Sequence, residues 1–431
     1  MSILTTLCLA TLLLFIGGCS DNDDTQGGIT TIEVWAHAGQ ESERSTLESQ
    51  VNRYNTDQPN SRVSLTLIPE GSYNAQVQAA AVAGDLPDLL EFDGPFLYSY
   101  IWQGRLQPLE DLLPAPLLDD LLPSILQQGS YRSRLWSVGV FDSGLGLYAN
   151  RSKLADSGIR IPSLEHPWRL EEFNTILQHL ADDDPDGQVL DLKLNYTGEW
   201  YTYAFSPLIQ SAGGDLVSRN KMPSAGGTLN GREAINALKT VQQWIQTGWV
   251  DPNIDDAAFT AGRVALSMGG HWNYPTYRKK LGDDLLLLPL PDFGHGVKTG
   301  QGSWSWAITA NSKHPKAASN FLSFLLRTEE VAAMTEANGA VPATNTAIDR
   351  SPRYRAGGPL RLFVQQLEGD YAVPRPRTPA YPMITAEFQQ AFERIRSGSD
   401  VQTVLDQAAR VIDLEIEDNR GYPWLFTMKE K

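Results

Sequence analysis

Short apolar runs alternate with amphipathic stretches along most of this chain. Ile32-Glu33-Val34-Trp35 is a β-type run, and a polar stretch containing Gly39 follows it. Leu47, Val51 and Tyr54 then recur at helical spacing, with Ser42 or Ser45 as the expected cap. Residues 63–68 (VSLTLI) alternate and predict a second strand, and the Ala-rich residues 75–83 predict a helix stopped by Gly84 and Pro87. Residues 89–92 form a third, buried-type strand that ends in the turn Asp93-Gly94-Pro95. Strands alternating with helices predict an α/β unit with a mostly parallel sheet. Such sheets bind ligands beyond the carboxyl ends of their strands, where Trp35 through Gln40 and Asp93-Gly94 would emerge.

The middle of the chain differs in texture. Residues 170–180 predict an amphipathic helix running into an acidic turn, DDDPDG, at 182–187. Ile235, Leu238, Val241, Trp244 and Ile245 mark a long helix ended by Gly248. Residues 259–268 lead to Gly269-Gly270-His271-Trp272, expected to be a Gly-rich loop carrying an aromatic ring. Residues 285–290 are strongly apolar and residues 303–308 predict another strand. Two more helices are expected: residues 315–326, burying Ala318, Phe321, Leu322 and Leu325, and about 401–417, carrying Val404, Leu405, Ala408, Val411 and Ile412.

Composition narrows the function. The 431 residues are too many for one ordinary core, which favours two domains or one large one. Lys and Arg number 35 against 51 Asp and Glu, a formal charge of −16 that repels nucleic acid. Both cysteines, Cys8 and Cys19, lie at the extreme N-terminus, so a processed chain has no internal disulfide and no Cys-based metal site. The apolar opening, MSILTTLCLATLLLFIGGC, is too short for a comfortable membrane span and reads as an export signal over residues 1–18. Its ending, Ile16-Gly17-Gly18-Cys19, resembles the bacterial lipobox, although no Lys or Arg precedes the apolar run. The alternative is an uncleaved anchor. Residues 19–28 form a polar, acidic tether.

The order of segments resembles the extracellular solute-binding protein family 1, the maltose-binding-like receptors of ABC importers. The likeness rests on IEVWAHAGQESE at 32–43, AGDLPDLLEFDG at 83–94, GLGLYANRSKLADSGIRIP at 144–162, GRVALSMGGHW at 262–272 and SWAITANSKHPKAASNFLSFLL at 305–326, with a weaker NGAVPA at 338–343. The resemblance implies a type II periplasmic-binding-protein fold: two α/β lobes, a hinge and an interlobe cleft. Lobe 1 would comprise residues 29–138 and 300–345, and lobe 2 residues 143–297 and 346–431. The crossings would fall near 139–142 and 297–302. It also implies an ABC permease as partner and a monomeric receptor, lipid-anchored through Cys19 on the extracytoplasmic, periplasmic face of the cell envelope.

Sugars present fans of hydroxyls and patches of C–H, so carboxylates, amides and flat aromatic rings are the groups to look for. The expected ligand-binding residues are Trp35, Gln40, Glu41, Asp93, Asp142, Trp200, Trp272, Trp304 and Arg375. Trp272 and Trp200 are expected in loops, Asp93 and Asp142 at a strand end and a crossing, and Arg375 between two prolines. Trp304 and Trp306, two apart, share one strand, with Trp304 expected at the cleft. Trp244 and Trp249 are expected to pack. The acidic turn matches the opening of a calcium loop, but its twelfth position is Lys193, so a solvated turn is expected. The six histidines show no HExxH spacing, and neither a GxSxG elbow nor a Walker loop is present. No cofactor, metal or catalytic residue is expected. The ligand expected is a small solute, most of all a mono- or oligosaccharide; polyols, glycerol-phosphate derivatives and peptides follow. A secreted glycoside hydrolase and a sensory ligand receptor are the alternative functions.

Overall fold

The computed structural model describes residues 28–220 and 222–423. The export signal, Cys19 and most of the tether lie outside the described residues. Among those described, no helix is long and apolar enough to cross a membrane.

Two sheets organise the chain. The first has four strands in the order Trp304–Ile308, Leu89–Asp93, Thr30–His37, Ser61–Ile68. Its last three strands run parallel, and Trp304–Ile308 runs antiparallel to Leu89–Asp93 with Trp304 opposite Asp93. His37, Ile68, Asp93 and Trp304 therefore share one rim. Alternation explains Thr30–His37: Ile32, Val34 and Ala36 are fully buried while Thr31 and Glu33 face solvent. The helix Glu70–Ala83 connects the second strand to the third and stops at Gly84, whose φ of 81° is left-handed.

The second sheet has five strands in the order Leu285–Leu288, Leu145–Asn150, Leu266–Gly270, Leu190–Asp191, Val250–Asp251. Leu266–Gly270 is parallel to Leu190–Asp191 and antiparallel to Leu145–Asn150. Gly270 and Leu145 thus close the same rim, and Trp272 follows directly. Beneath this sheet the helices Leu170–Asp182, Arg232–Thr247, Tyr381–Arg396 and Val401–Asp418 contribute Phe173, Leu238, Trp244, Phe392 and Leu405 to one core. Each fully buried ring or aliphatic side chain of this kind contributes roughly 1.5–3 kcal/mol. A second core joins Ile32, Val34, Trp306 and Phe321 of the first half to Tyr148, Tyr277 and Phe363.

Short ladders tie the halves together. Phe141–Asp142 pairs with Val341–Pro342, and Thr299–Gln301 pairs with Ala372–Pro374. Thr299 Oγ1 lies 2.9 Å from both the amide and the carbonyl of Leu145.

Several local expectations change. Gly269-Gly270 belongs to a strand, because both residues pair with Leu145–Asn150. Trp200 sits on the first turn of the helix Glu199–Ser211, not in a loop. Neither Ser42 nor Ser45 caps the first helix: it starts at Glu41, and the Ser42 hydroxyl donates to the Ala337 carbonyl instead. Val411 is exposed, since the helix Val401–Asp418 buries Val404, Leu405, Ala408 and Ile412 on its other side.

Candidate functional site

The rims of the two sheets face each other, and four aromatic rings gather between them. Trp272 follows Gly270 in the tight turn His271–Asn273 and lies so close over Gly270 that a Cβ there would collide with the indole. Trp200 meets it edge-on with centroids 6.1 Å apart, and Tyr203 lies 6.2 Å from it, tilted by 42°. Trp200 and Tyr203 reach the rim because they stand three apart on the helix Glu199–Ser211. Trp200 is 7 % exposed and its Nε1 donates to the Leu192 carbonyl, so it backs the wall more than it faces the cleft. From the opposite sheet comes Trp304, half-buried and stacked on His37.

One cation joins the two rims. Arg375 Nη2 lies 3.0 Å from Asp93 Oδ1, and its Nη1 lies 3.3 Å from Asp93 Oδ2 and 2.5 Å from Glu199 Oε1. Asp93 ends a strand of the first sheet, while Glu199 begins a helix of the second half. The guanidinium also sits 5.1 Å over the Tyr203 ring. Gly302 makes room for it, since a Cβ at that position would strike Nη2. Arg375 is 6 % exposed, yet its Nε has no hydrogen-bond partner among the described residues. Glu199 further accepts from Thr385 Oγ1 at 2.7 Å and from the Tyr381 hydroxyl. Burial pushes the Glu199 carboxyl up against the pull of Arg375.

The other expected residues take different places. Gln40 is exposed, and its Nε2 donates to the Trp272 carbonyl at 3.1 Å, linking the rims a second time. Glu41 is exposed and paired with Arg44 on its own helix. Trp35 is half-buried two residues before the strand end, opposite Leu90 on the next strand, and packs against the cluster that includes Phe92 and Tyr100. Asp142 has no exposed surface; it accepts from Gln128 Nε2 at 3.0 Å and from the Ser143 amide at 2.7 Å. Burial raises its carboxyl to about 6. Trp35, Glu41 and Asp142 therefore do not join the group that faces the cleft. Trp244 and Trp249 are buried in the core beneath the second sheet.

Sequence reading passed over Glu199, Tyr203 and His37. The run Glu199-Trp200-Tyr201-Thr202-Tyr203 held the only available sign, its density of aromatic rings. In the acidic turn, Asp184 and Asp186 accept from backbone amides two residues on, at 3.2 and 2.9 Å. Lys193 lies elsewhere, its ammonium 3.2 Å from Asp191 and 2.8 Å from Asp256. Among the described residues no group of three or more His, Cys, Asp or Glu is placed to hold a metal ion.

Two α/β halves whose strand ends meet across an aromatic and carboxylate-lined cleft define the type II periplasmic-binding-protein fold. Solved receptors share it. The GacH receptor of Streptomyces glaucescens matches with a TM-score of 0.76 at 20% identity, covering 90% of this chain and 99% of that one. Maltose-bound MalE3 of T. maritima matches with a TM-score of 0.76 at 17% identity, covering 90% and 100%. The sequence model of bacterial extracellular solute-binding proteins matches residues 49–357, and the chain belongs to that family. Relatives include an uncharacterized lipoprotein in the oleD 5′ region of Streptomyces antibioticus, 23% identical over 358 residues, 80% of this chain and 77% of that protein. The diacetylchitobiose binding protein DasA of Streptomyces coelicolor is 22% identical over 344 residues, covering 76% and 77%.

Proposed function

We propose that this chain is the lipid-anchored receptor of an ABC importer, which captures a mono- or oligosaccharide by closing two lobes over it and releases it chemically unchanged. The observation that carries this reading is the convergence of Trp272, Tyr203 and Trp304 with Asp93, Glu199 and Arg375 at the facing ends of two sheets. Rings cover the C–H faces of a pyranose, and the polar groups exchange hydrogen bonds with its hydroxyls. Gln40 adds an amide from the first rim. The relatives' names support the ligand class: they include a maltodextrin-binding protein of Bacillus subtilis and a maltooligosaccharide transporter lipoprotein of Streptococcus pneumoniae. The lobes are residues 29–138 with 300–345 and 143–297 with 346–431; ligand stabilises the closed form because only there do both halves touch it. The anchor is Cys19, the receptor acts as a monomer, and the partner is a permease that recognises the closed form.

A thermal-shift screen over maltooligosaccharides, chitooligosaccharides and monosaccharides tests the reading. A raised melting temperature with intact sugar recovered afterwards is the expected result, at an affinity near micromolar or about −8 kcal/mol. Hydrolysed product, or no response across the panel, would refute it.

A further inference from the structure

Trp304 is held from behind by a histidine. The His37 ring lies face to face with the indole, centroids 3.8 Å apart and planes 2° from parallel. Tyr73 closes the indole edge at 5.2 Å. His37 is itself pinned: its Nδ1 lies 2.7 Å from Glu91 Oε2, which also accepts the His37 backbone amide at 3.1 Å. Its Nε2 lies 3.7 Å from Glu43 Oε2. Glu43 accepts from Asn338 Nδ2 at 3.1 Å, the Asn338 carbonyl lies 3.1 Å from His271 Nδ1, and His271 meets Trp272 edge-on at 5.0 Å. The supports of the two cleft tryptophans are thus continuous through Glu43 and Asn338.

We propose that His37, an imidazolium clamped between Glu91 and Glu43, is the positioning residue that fixes the Trp304 indole and leaves it a single face for the ligand. This inference rests on the cleft being the ligand site. The stack lies within the range at which a cation is drawn to an indole face. Glu91 and Glu43 are both largely removed from solvent, and two such carboxylates against one neutral ring would be costly. Burial opposes charge on His37, but Glu91 and Glu43 outweigh it and hold the imidazole well above the usual histidine range. Burial likewise works to raise Glu43, yet the hydrogen bond to His37 leaves it below the usual value. The charged groups around His37 are Glu91 from its neighbouring strand, Glu43 and Arg44 from the helix Glu41–Asp57, and Glu70 from the helix Glu70–Ala83. His271 faces the same Glu43, but burial pushes it down to about 4, so it stays neutral. Two histidines in opposite charge states support the two rings.

An imidazolium quenches a stacked indole, so ligand-free fluorescence reads the device directly. The emission of Trp304, taken as the wild type minus Trp304→Phe, is expected to be weak at pH 7. It should recover only well above pH 6.5, the ordinary histidine value. In His37→Gln it should be strong at neutral pH, and in Glu43→Gln the midpoint should move down. A profile that is already bright at about pH 5 to 7, or a midpoint at or below the ordinary value, would overturn the proposal. If His37→Gln does not fold, the midpoint shift in Glu43→Gln decides. With maltotriose as probe, His37→Gln should weaken binding about fivefold at pH 7. Unchanged affinity, where Trp304→Phe does weaken it, also overturns the proposal. Failure of the wild type to bind any sugar counts against the proposed function alone, because the fluorescence titration needs no ligand.

Discussion

Trp272 and Arg375 hold their places by close approach to glycine, and that makes them testable one at a time. Trp272→Ala removes the ring that Trp200 and Tyr203 surround. Titration calorimetry should show sugar affinity falling about tenfold or more, with the melting temperature nearly unchanged because the ring is only half-buried. Gly302→Ala drives a methyl group into the guanidinium and should lower both affinity and stability, the latter by about 1–3 kcal/mol in urea unfolding. Trp272 and Asp93 could be singled out from the sequence, one as an aromatic ring behind two glycines and the other as a carboxylate after an apolar run. Glu199 and Tyr203 could not be, since their importance depends on Arg375, which lies more than 170 residues away in the chain and reaches them only through the fold. Asp142 was misleading for the opposite reason: a carboxylate at a crossing looks available until burial and Gln128 are seen to occupy it.

Elements with a clear period were the ones the sequence disclosed. Residues 315–326 and 401–417 show an apolar stripe, and the structure has helices at Pro315–Leu325 and Val401–Asp418. The helix Glu199–Ser211 escaped notice because it is buried on nearly every side and carries Pro207, so it has neither a stripe nor good helical composition. The helix Tyr381–Arg396 was also missed, although Ile384, Phe388, Phe392 and Ile395 do recur at helical spacing. These two helices pack through Phe205 and Phe392, stacked with centroids 4.0 Å apart. Phe205→Ala should therefore cost about 3–5 kcal/mol, read as a shift in urea midpoint, and should loosen the wall that carries Trp200 and Tyr203.

At the scale of the whole molecule, pH acts through Asp142. Burial raises Asp142 from an unfolded value of 3.8 to about 6. Between those values the folded chain keeps a proton that the unfolded chain releases, so stability falls as pH rises from about 4 to 6 and stays reduced above. Asp142→Asn should accordingly stabilise the protein at pH 8 by on the order of 2 kcal/mol, and the gain should vanish near pH 4. Melting curves of both proteins at the two pH values check this. Solution scattering should also show a contraction when sugar is added, as two bodies draw together. The alternation of strands and helices and the order of six segments made this architecture readable in advance, whereas the contacts that fasten one half to the other lie between residues far apart in sequence.

The guanidinium of Arg375 has a consequence for how the two jaws part. Parting the two rims takes this shared positive charge away from Asp93 or from Glu199, so the ion pairs set a resistance to opening. A guest that hydrogen-bonds either carboxylate trades against that internal grip, which ties its capture to the spacing of the jaws.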